Sequence, residues 1–196
     1  MTRTEPLPFK NFPPRMRDAL AALTPPEPHY DLVARDRPRG ANVLGAMAHH
    51  PALAKAFFTL QGHLLRATTL TERHRELVIM RVAALRHSPY EWAQHLLVAA
   101  DAGLTEREIS WIVWGPEAPC WSAIDAAVLR AVDDLERDGS IGDGTWAALT
   151  TDLDVRQILD LVFTAGSYGM LAWMIASLGV ELDDDLIDTL APPEPA

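Results

Sequence analysis

The 196-residue sequence has a single cysteine, Cys120. That excludes an intrachain disulfide framework and any CxxC redox pair, and with them thioredoxin-like and cysteine-rich zinc chemistry. Strand signals are nearly as scarce. β-Branched and aromatic residues nowhere alternate convincingly with polar ones, whereas apolar residues recur at helical spacing almost throughout, so an all-α fold is expected. Basic residues are in deficit, 17 Lys and Arg against 27 Asp and Glu, and the formal charge of -10 argues against general nucleic-acid binding. Uninterrupted apolar runs are missing too. The longest stretch, 159–178, is broken by Asp160, Thr164, Gly166, Ser167, Tyr168 and Gly169; it reads as a buried helix, and no membrane association is expected. The first fourteen residues are polar and proline-bearing without an apolar core, so no secretory signal is expected and the cytoplasm is the expected location. The glycines of 139–144 lack both the GxxxxGK[ST] pattern and a preceding strand, which leaves a turn rather than a phosphate loop, and no GxSxG elbow occurs.

What is present is ordinary globular composition, 48% hydrophobic and 22% charged, enough for one domain with a sizeable core. The 15 prolines gather mainly at 6–14, 25–38 and 192–195. This pattern predicts a proline-bearing arm over residues 1–40 that wraps the body, a helical domain over 41–190 and a disordered tail at 191–196. A short helix is expected at 15–23. Within the body, helices are expected from Pro51 to about Ala67, from a Thr71 cap to Arg86, and from Ser88 to Ala102 with a stop at Gly103. Further helices follow from Thr105 to about Trp114, Ser122 to Arg137, Thr145 to Thr150, and an Asp154 cap to Leu178 with Gly179 as its stop. Ser88-Pro89-Tyr90-Glu91 and Thr105 with Glu108 both have the capping-box arrangement.

The segment 70–103 carries the most chemistry. It sets Glu76 on one helix and Glu91 and His95 on the next. Glu91 and His95 are four apart, so their side chains can meet on one face, where a carboxylate orients an imidazole and raises its basicity, an arrangement suited to proton transfer. If the two helices pack antiparallel across the short His87-Ser88 link, Glu76 approaches His95 as well. The blander alternatives are that the capping box consumes Glu91 and that His95 is a structural helical histidine. Carboxylate-bridged metal bundles use Glu-x-x-His twice; here the spacing is one residue longer and no second copy occurs, so no metal and no cofactor are expected. His49 and His50 offer only adjacency and read as surface or cap residues. Arg81, on an otherwise apolar face, either pairs with a carboxylate or receives an acidic substrate. The six tryptophans, Trp92, Trp111, Trp114, Trp121, Trp146 and Trp173, read as core and subunit-contact aromatics, and a homo-oligomer is expected.

The run LTERHRELVIMR (70–81), then YEWAQH (90–95) and Ala102-Gly103-Leu104, resembles the carboxymuconolactone decarboxylase family, which includes the alkylhydroperoxidase D-like proteins. The run DLVFTAGSY (160–168), with SLGV (177–180), is similar to the family's closing helix, so the resemblance spans roughly 40–182. It implies an alkylhydroperoxidase D-like helical bundle that assembles into trimers or hexamers, with the active pocket near subunit contacts. The peroxidase branch of the family uses a glutamate, a CxxC pair and a histidine. Laid on this chain these fall at Glu76, at Ser88 and Glu91, and at His95, so both thiols are missing and disulfide-exchange peroxide reduction has no nucleophile. The resemblance then implies a cofactor-independent lyase, or a related proton-transfer enzyme, acting on a small carboxylated or lactone-like compound. Glu76, Glu91 and His95 form its catalytic set, and Arg81, Tyr90, Trp92 and Tyr168 its substrate-binding set. The alternative is a non-catalytic oligomeric small-molecule-binding or scaffold protein of the same fold.

Overall fold

The computed structural model describes residues 2–31 and 40–190, and helices account for all the regular structure among them. The helices are α1 (Pro14–Ala21), α2 (Ala41–Met47), α3 (Pro51–Gly62), α4 (Glu72–Leu85), α5 (Pro89–Asp101), α6 (Glu106–Ile112), α7 (Ala123–Asp138), α8 (Asp143–Leu149), α9 (Val155–Leu178) and α10 (Asp184–Leu190). The expected helix through Ala67 is interrupted: α3 ends at Gly62 and a π turn occupies His63–Ala67. Two short helices, α2 and α10, were not expected. At seven residues each they are too short to hold their shape unaided, so packing rather than local sequence signal forms them.

The chain divides into two compact units. The first lies within residues 1–66 and 174–196. Its core joins Met16 and Ala19 of α1 to Met47, Ala48, Ala54 and Phe58, so α1 packs directly on α3. Within the proline-bearing segment, α1 supplies core side chains that are fully buried. Gly45 shows how closely the leader lies. A Cβ built there would stand 2.5 Å from the Leu7 carbonyl oxygen, so only glycine admits the backbone. Residues 32–39 of the expected arm and the expected tail 191–196 lie outside the described residues.

The second unit comprises residues 67–173. Its central element is α4, whose residues 75–83 are all buried and which packs against α5, α6 and α7. Asp160 of α9 accepts hydrogen bonds from the Thr69 N–H (2.6 Å) and hydroxyl (2.7 Å), fixing α9 beside the entrance to α4. By length and composition α9 is a helix apolar enough to cross a membrane, yet more than half of its most apolar window is buried in the protein, as in a core helix.

Four of the five side-chain caps expected from the sequence form. Thr71 accepts from the His74 N–H, Ser122 from Asp125 N–H, and Thr105 with Glu108 completes both bonds of a capping box. Asp154 and Gln157 cap α9 reciprocally at 2.9 Å. The box expected at Ser88 does not form. The link between α4 and α5 is so tight that His87 adopts a positive φ of 51° and the Ser88 N–H donates to the Ala83 carbonyl at 2.9 Å. That N–H is the donor Glu91 would have accepted from, and the Ser88 hydroxyl and both Glu91 oxygens are left buried without partners. Thr105→Ala should therefore cost about 1 kcal/mol in urea denaturation. Ser88→Ala should be neutral within about 0.5 kcal/mol or stabilising, because it removes an unsatisfied hydroxyl; a loss at Ser88 equal to that at Thr105 would show a working cap there.

Candidate active site

The tight link folds α4 and α5 into a helical hairpin, and this brings Glu76 to His95. Glu76 is fully buried, and its Oε2 lies 2.7 Å from His95 Nδ1. Its other oxygen, Oε1, accepts from Arg75 Nε at 2.9 Å. Burial alone would raise the Glu76 carboxyl, but the charges and hydrogen bonds of His95 and Arg75 outweigh it and hold the group below its ordinary range. An ionised Glu76 can only accept at Oε2, so the His95 proton sits on Nδ1 and Nε2 carries the lone pair in the neutral ring. The ring stands edge-on to Tyr168 at 5.1 Å between centroids. Tyr168 is buried, and burial together with the Glu76 and Glu91 charges pushes its hydroxyl well above the usual range, so it remains a phenol. The His95 side chain is 14% exposed, against 0% for Glu76, so the imidazole is the part of the pair that reaches the surface.

Glu91 lies one turn before His95 on α5. It is 2% exposed and neither carboxyl oxygen has a hydrogen-bond partner. Burial, opposed by the nearby Ser88 hydroxyl and His95 and reinforced by the Glu136 charge, pushes its carboxyl up to about 7. The Ser88 hydroxyl acts on it through proximity, without hydrogen-bond geometry. Glu136, on α7, is ion-paired with Arg86 at 2.5 Å; burial raises it despite that pair. The Arg86 guanidinium stacks over Trp173 at 4.9 Å. The expected Glu91–His95 hydrogen bond along α5 is absent, because His95 Nδ1 is taken across the hairpin by Glu76.

Of the remaining expected residues, Arg81 takes the structural one of its two alternatives. Its guanidinium pairs with Asp133 (2.6 and 3.0 Å) and donates to the carbonyls of Ile112 (2.8 Å) and Val113 (3.0 Å). Gly115, at φ +83°, lies so close that a Cβ would stand 2.6 Å from Nη2. Arg81 thus fastens α4 to α7 and to the end of α6, and the expectation that it holds a substrate anion is corrected: a guanidinium donating to a carboxylate and two carbonyls is already employed. Tyr90 is buried, with its hydroxyl 3.5 Å from Gln94 Nε2, and Trp92 is partly buried on α5. Three contributors were not foreseen. Arg75 adjoins Glu76 in sequence and could have been found as its counter-charge, whereas Arg86 and Glu136 meet only through the packing of α7 on α4.

The Glu91 environment gives a pH signature. In the folded chain the carboxyl keeps its proton up to about pH 7, whereas in the unfolded chain it loses it near the ordinary 4.5. Between these values the native state binds more protons than the unfolded state, so this group's contribution favours folding at low pH and declines as pH rises, by about 3 kcal/mol at most. Glu91→Gln, which cannot ionise, should match wild type near pH 4.5 and exceed it in thermal stability at pH 8. Wild type gaining on the variant with rising pH would contradict the assignment.

Comparison with known proteins agrees with this architecture. Residues 51–134 match the profile of the carboxymuconolactone decarboxylase family. Among solved structures, a cysteine-to-alanine variant of the debrominase Bmp8, in complex with 2,3,4-tribromopyrrole, superposes with a TM-score of 0.71 at 14% identity, covering 97% of this chain and 96% of that one. A peroxidase-related protein from Ralstonia eutropha JMP134 with an alkylhydroperoxidase AhpD core gives 0.67 at 16% identity, covering 83% of this chain and 96% of its own. Another peroxidase-related protein, from Silicibacter sp. TM1040, gives 0.67 at 16% identity over 83% and 95%. At these identities the structures speak for the fold alone. Comparison with curated proteins finds no match. The family profile falls on the segment that holds Glu76, Glu91 and His95, and the AhpD-like solved structures share the fold.

Proposed function

We propose that the chain is a cofactor-independent proton-transfer enzyme for a small lactone-like compound, with His95 Nε2 as base and Glu91 as acid. The observation that carries this reading is the pairing of His95 Nδ1 with a fully buried carboxylate, which aims the basic nitrogen outward. When Nε2 takes a proton from carbon, Glu76 stabilises the imidazolium, and Arg75 keeps Glu76 ionised throughout. The buried Glu91 carboxyl supplies or recovers the second proton. Decarboxylation, the family's namesake reaction, is a close variant: carbon dioxide leaves in place of the first proton, and the electron pair left on carbon is quenched from His95 or Glu91. Thiol chemistry has no support, since Ser88 and Glu91 stand where the peroxidase branch has cysteines and Cys120 is on the loop before α7. With a panel of unsaturated lactones and lactone carboxylates in heavy water, His95→Asn, whose amide can still donate to Glu76, should retain its fold and lose solvent exchange or carbon dioxide release by about a hundredfold or more. Undiminished turnover would remove His95 from the chemistry, and ligand binding without turnover in wild type would favour the non-catalytic alternative.

The outer face of α9 supports the expected homo-oligomer. Val155, Leu159, Phe163, Met170 and Trp173 form an uncharged stripe, each side chain between 46% and 61% exposed, a large apolar surface to leave in water. Gly166 sits at its centre. Two copies of α9 laid antiparallel about that point would bring Leu159 of one opposite Trp173 of the other, the self-complementarity a two-fold contact requires. Light scattering of wild type should give a multiple of the chain mass, reduced by Phe163→Glu; a monomeric wild type at micromolar concentration would refute the assembly.

A further inference from the structure

Resting on the assembly reading, we infer that a second copy of the chain does more than cover the apolar stripe of α9: set antiparallel with the two Gly166 residues at the two-fold axis, it lies on Trp173 and shuts water out of the Arg86–Glu136 ion pair, which thereby becomes part of the interface.

The stripe has the spacing of a helix seam. Leu159, Phe163, Gly166, Met170 and Trp173 follow one another at steps of four, three, four and three, the repeat by which one helix packs along another. The opposite face of α9 is occupied within the chain, with Leu161, Ala165, Tyr168 and Ala172 all buried. No charged residue occurs from 161 to 178. A helix apolar on both faces is one that packs on both.

Gly166 identifies what lies on the outer face. Glycine destabilises a helix interior relative to alanine, and nothing inside the chain calls for it here, since a Cβ built on Gly166 would meet no atom within 4 Å. Three residues on, by contrast, a Cβ on Gly169 would stand 3.4 Å from Glu136 Oε1. Bare backbone facing open space in the middle of an apolar seam suits the close approach of another helix. The seam is also symmetric about that point, with large residues flanking the glycine on either side, so its complement is the same seam run in the opposite direction. Leu159 then meets Trp173, Phe163 meets Met170, and glycine meets glycine. A parallel copy would instead stack Trp173 on itself and set two Arg86 guanidinium groups side by side, and like charges oppose that pairing.

The antiparallel register carries the contact beyond the stripe. The Arg86 guanidinium lies over the Trp173 ring at 4.9 Å, and its Nε is paired with Glu136 Oε2 at 2.5 Å. The two side chains are 31% and 13% exposed, so water reaches the pair in the single chain. Leu159 of the second copy, seated on Trp173, covers it from that side. An ion pair open to water contributes little, whereas a covered pair tolerates the loss of neither member, because the survivor is left charged and dry.

The test uses the full chain carrying Cys120→Ser, with association read by light scattering and cross-links by gel. Gly166→Cys should form a disulfide-linked pair on mild oxidation, and Leu159→Cys should do so only when mixed with Trp173→Cys. Gly166→Leu, which adds apolar surface but blocks the close approach, should weaken the contact at least about tenfold. Glu136→Gln lies outside the stripe and should weaken it by a similar factor, while Glu136→Gln combined with Arg86→Met should restore it. An oligomer that yields neither cross-link, self-cross-linking of Leu159→Cys alone, tighter association of Gly166→Leu, or association indifferent to Glu136→Gln would overturn the inference and leave the assembly reading standing. A monomeric wild type would defeat both.

Discussion

A carboxylate with no solvent exposure must be compensated by its neighbours, and the rest of the second unit is arranged around meeting that demand for Glu76. One oxygen goes to Arg75 on the same helix and the other to His95 on the next. Removing either partner would strand a buried charge, which costs several kcal/mol. The hydrogen bond therefore fixes how α4 and α5 face one another as well as the orientation of the imidazole. The tight link at His87 and Ser88 serves the same end, since a longer loop would let the two helices slide.

The site holds two carboxyl groups pushed in opposite directions. Glu76 stays ionised because a guanidinium and an imidazole outweigh its burial; Glu91, buried without a hydrogen bond, is raised towards neutrality. Separation of this kind lets one site present a base and an acid at the same pH. The position of Glu91 is also where the peroxidase branch has a thiol. On the proposed reading, a carboxyl there supplies a proton where a sulfur would act as nucleophile, so one helical frame could serve a different chemistry.

Much of this is legible in the sequence, and the failures have identifiable causes. Helical periodicity marks seven of the eight helix starts from Pro51 onwards among the described residues, missing α10, and the short link between two amphipathic segments correctly suggests that Glu76 approaches His95. The Ser88 capping box misleads because the motif does not reveal that the Ser88 N–H is already committed to Ala83. Arg81 can be placed on an apolar face, but its partners lie 31 to 52 positions away and only packing identifies them. Proline density marks residues 1–40 as an arm that wraps, but it does not reveal that Met16 and Ala19 of that segment join a buried core. Arg86, Glu136 and Trp173 are drawn from three elements and carry no joint signal in the sequence.

The chemistry of the site turns on Glu76 holding His95 with its proton on Nδ1 and its lone pair on Nε2. Nitrogen-15 NMR of histidine-labelled protein above neutral pH reports that tautomer directly. His95 should show a protonated Nδ1 and an unprotonated Nε2, and Glu76→Ala should abolish the preference. A proton resident on Nε2 in the wild type, or a spectrum unchanged by the loss of Glu76, would contradict it.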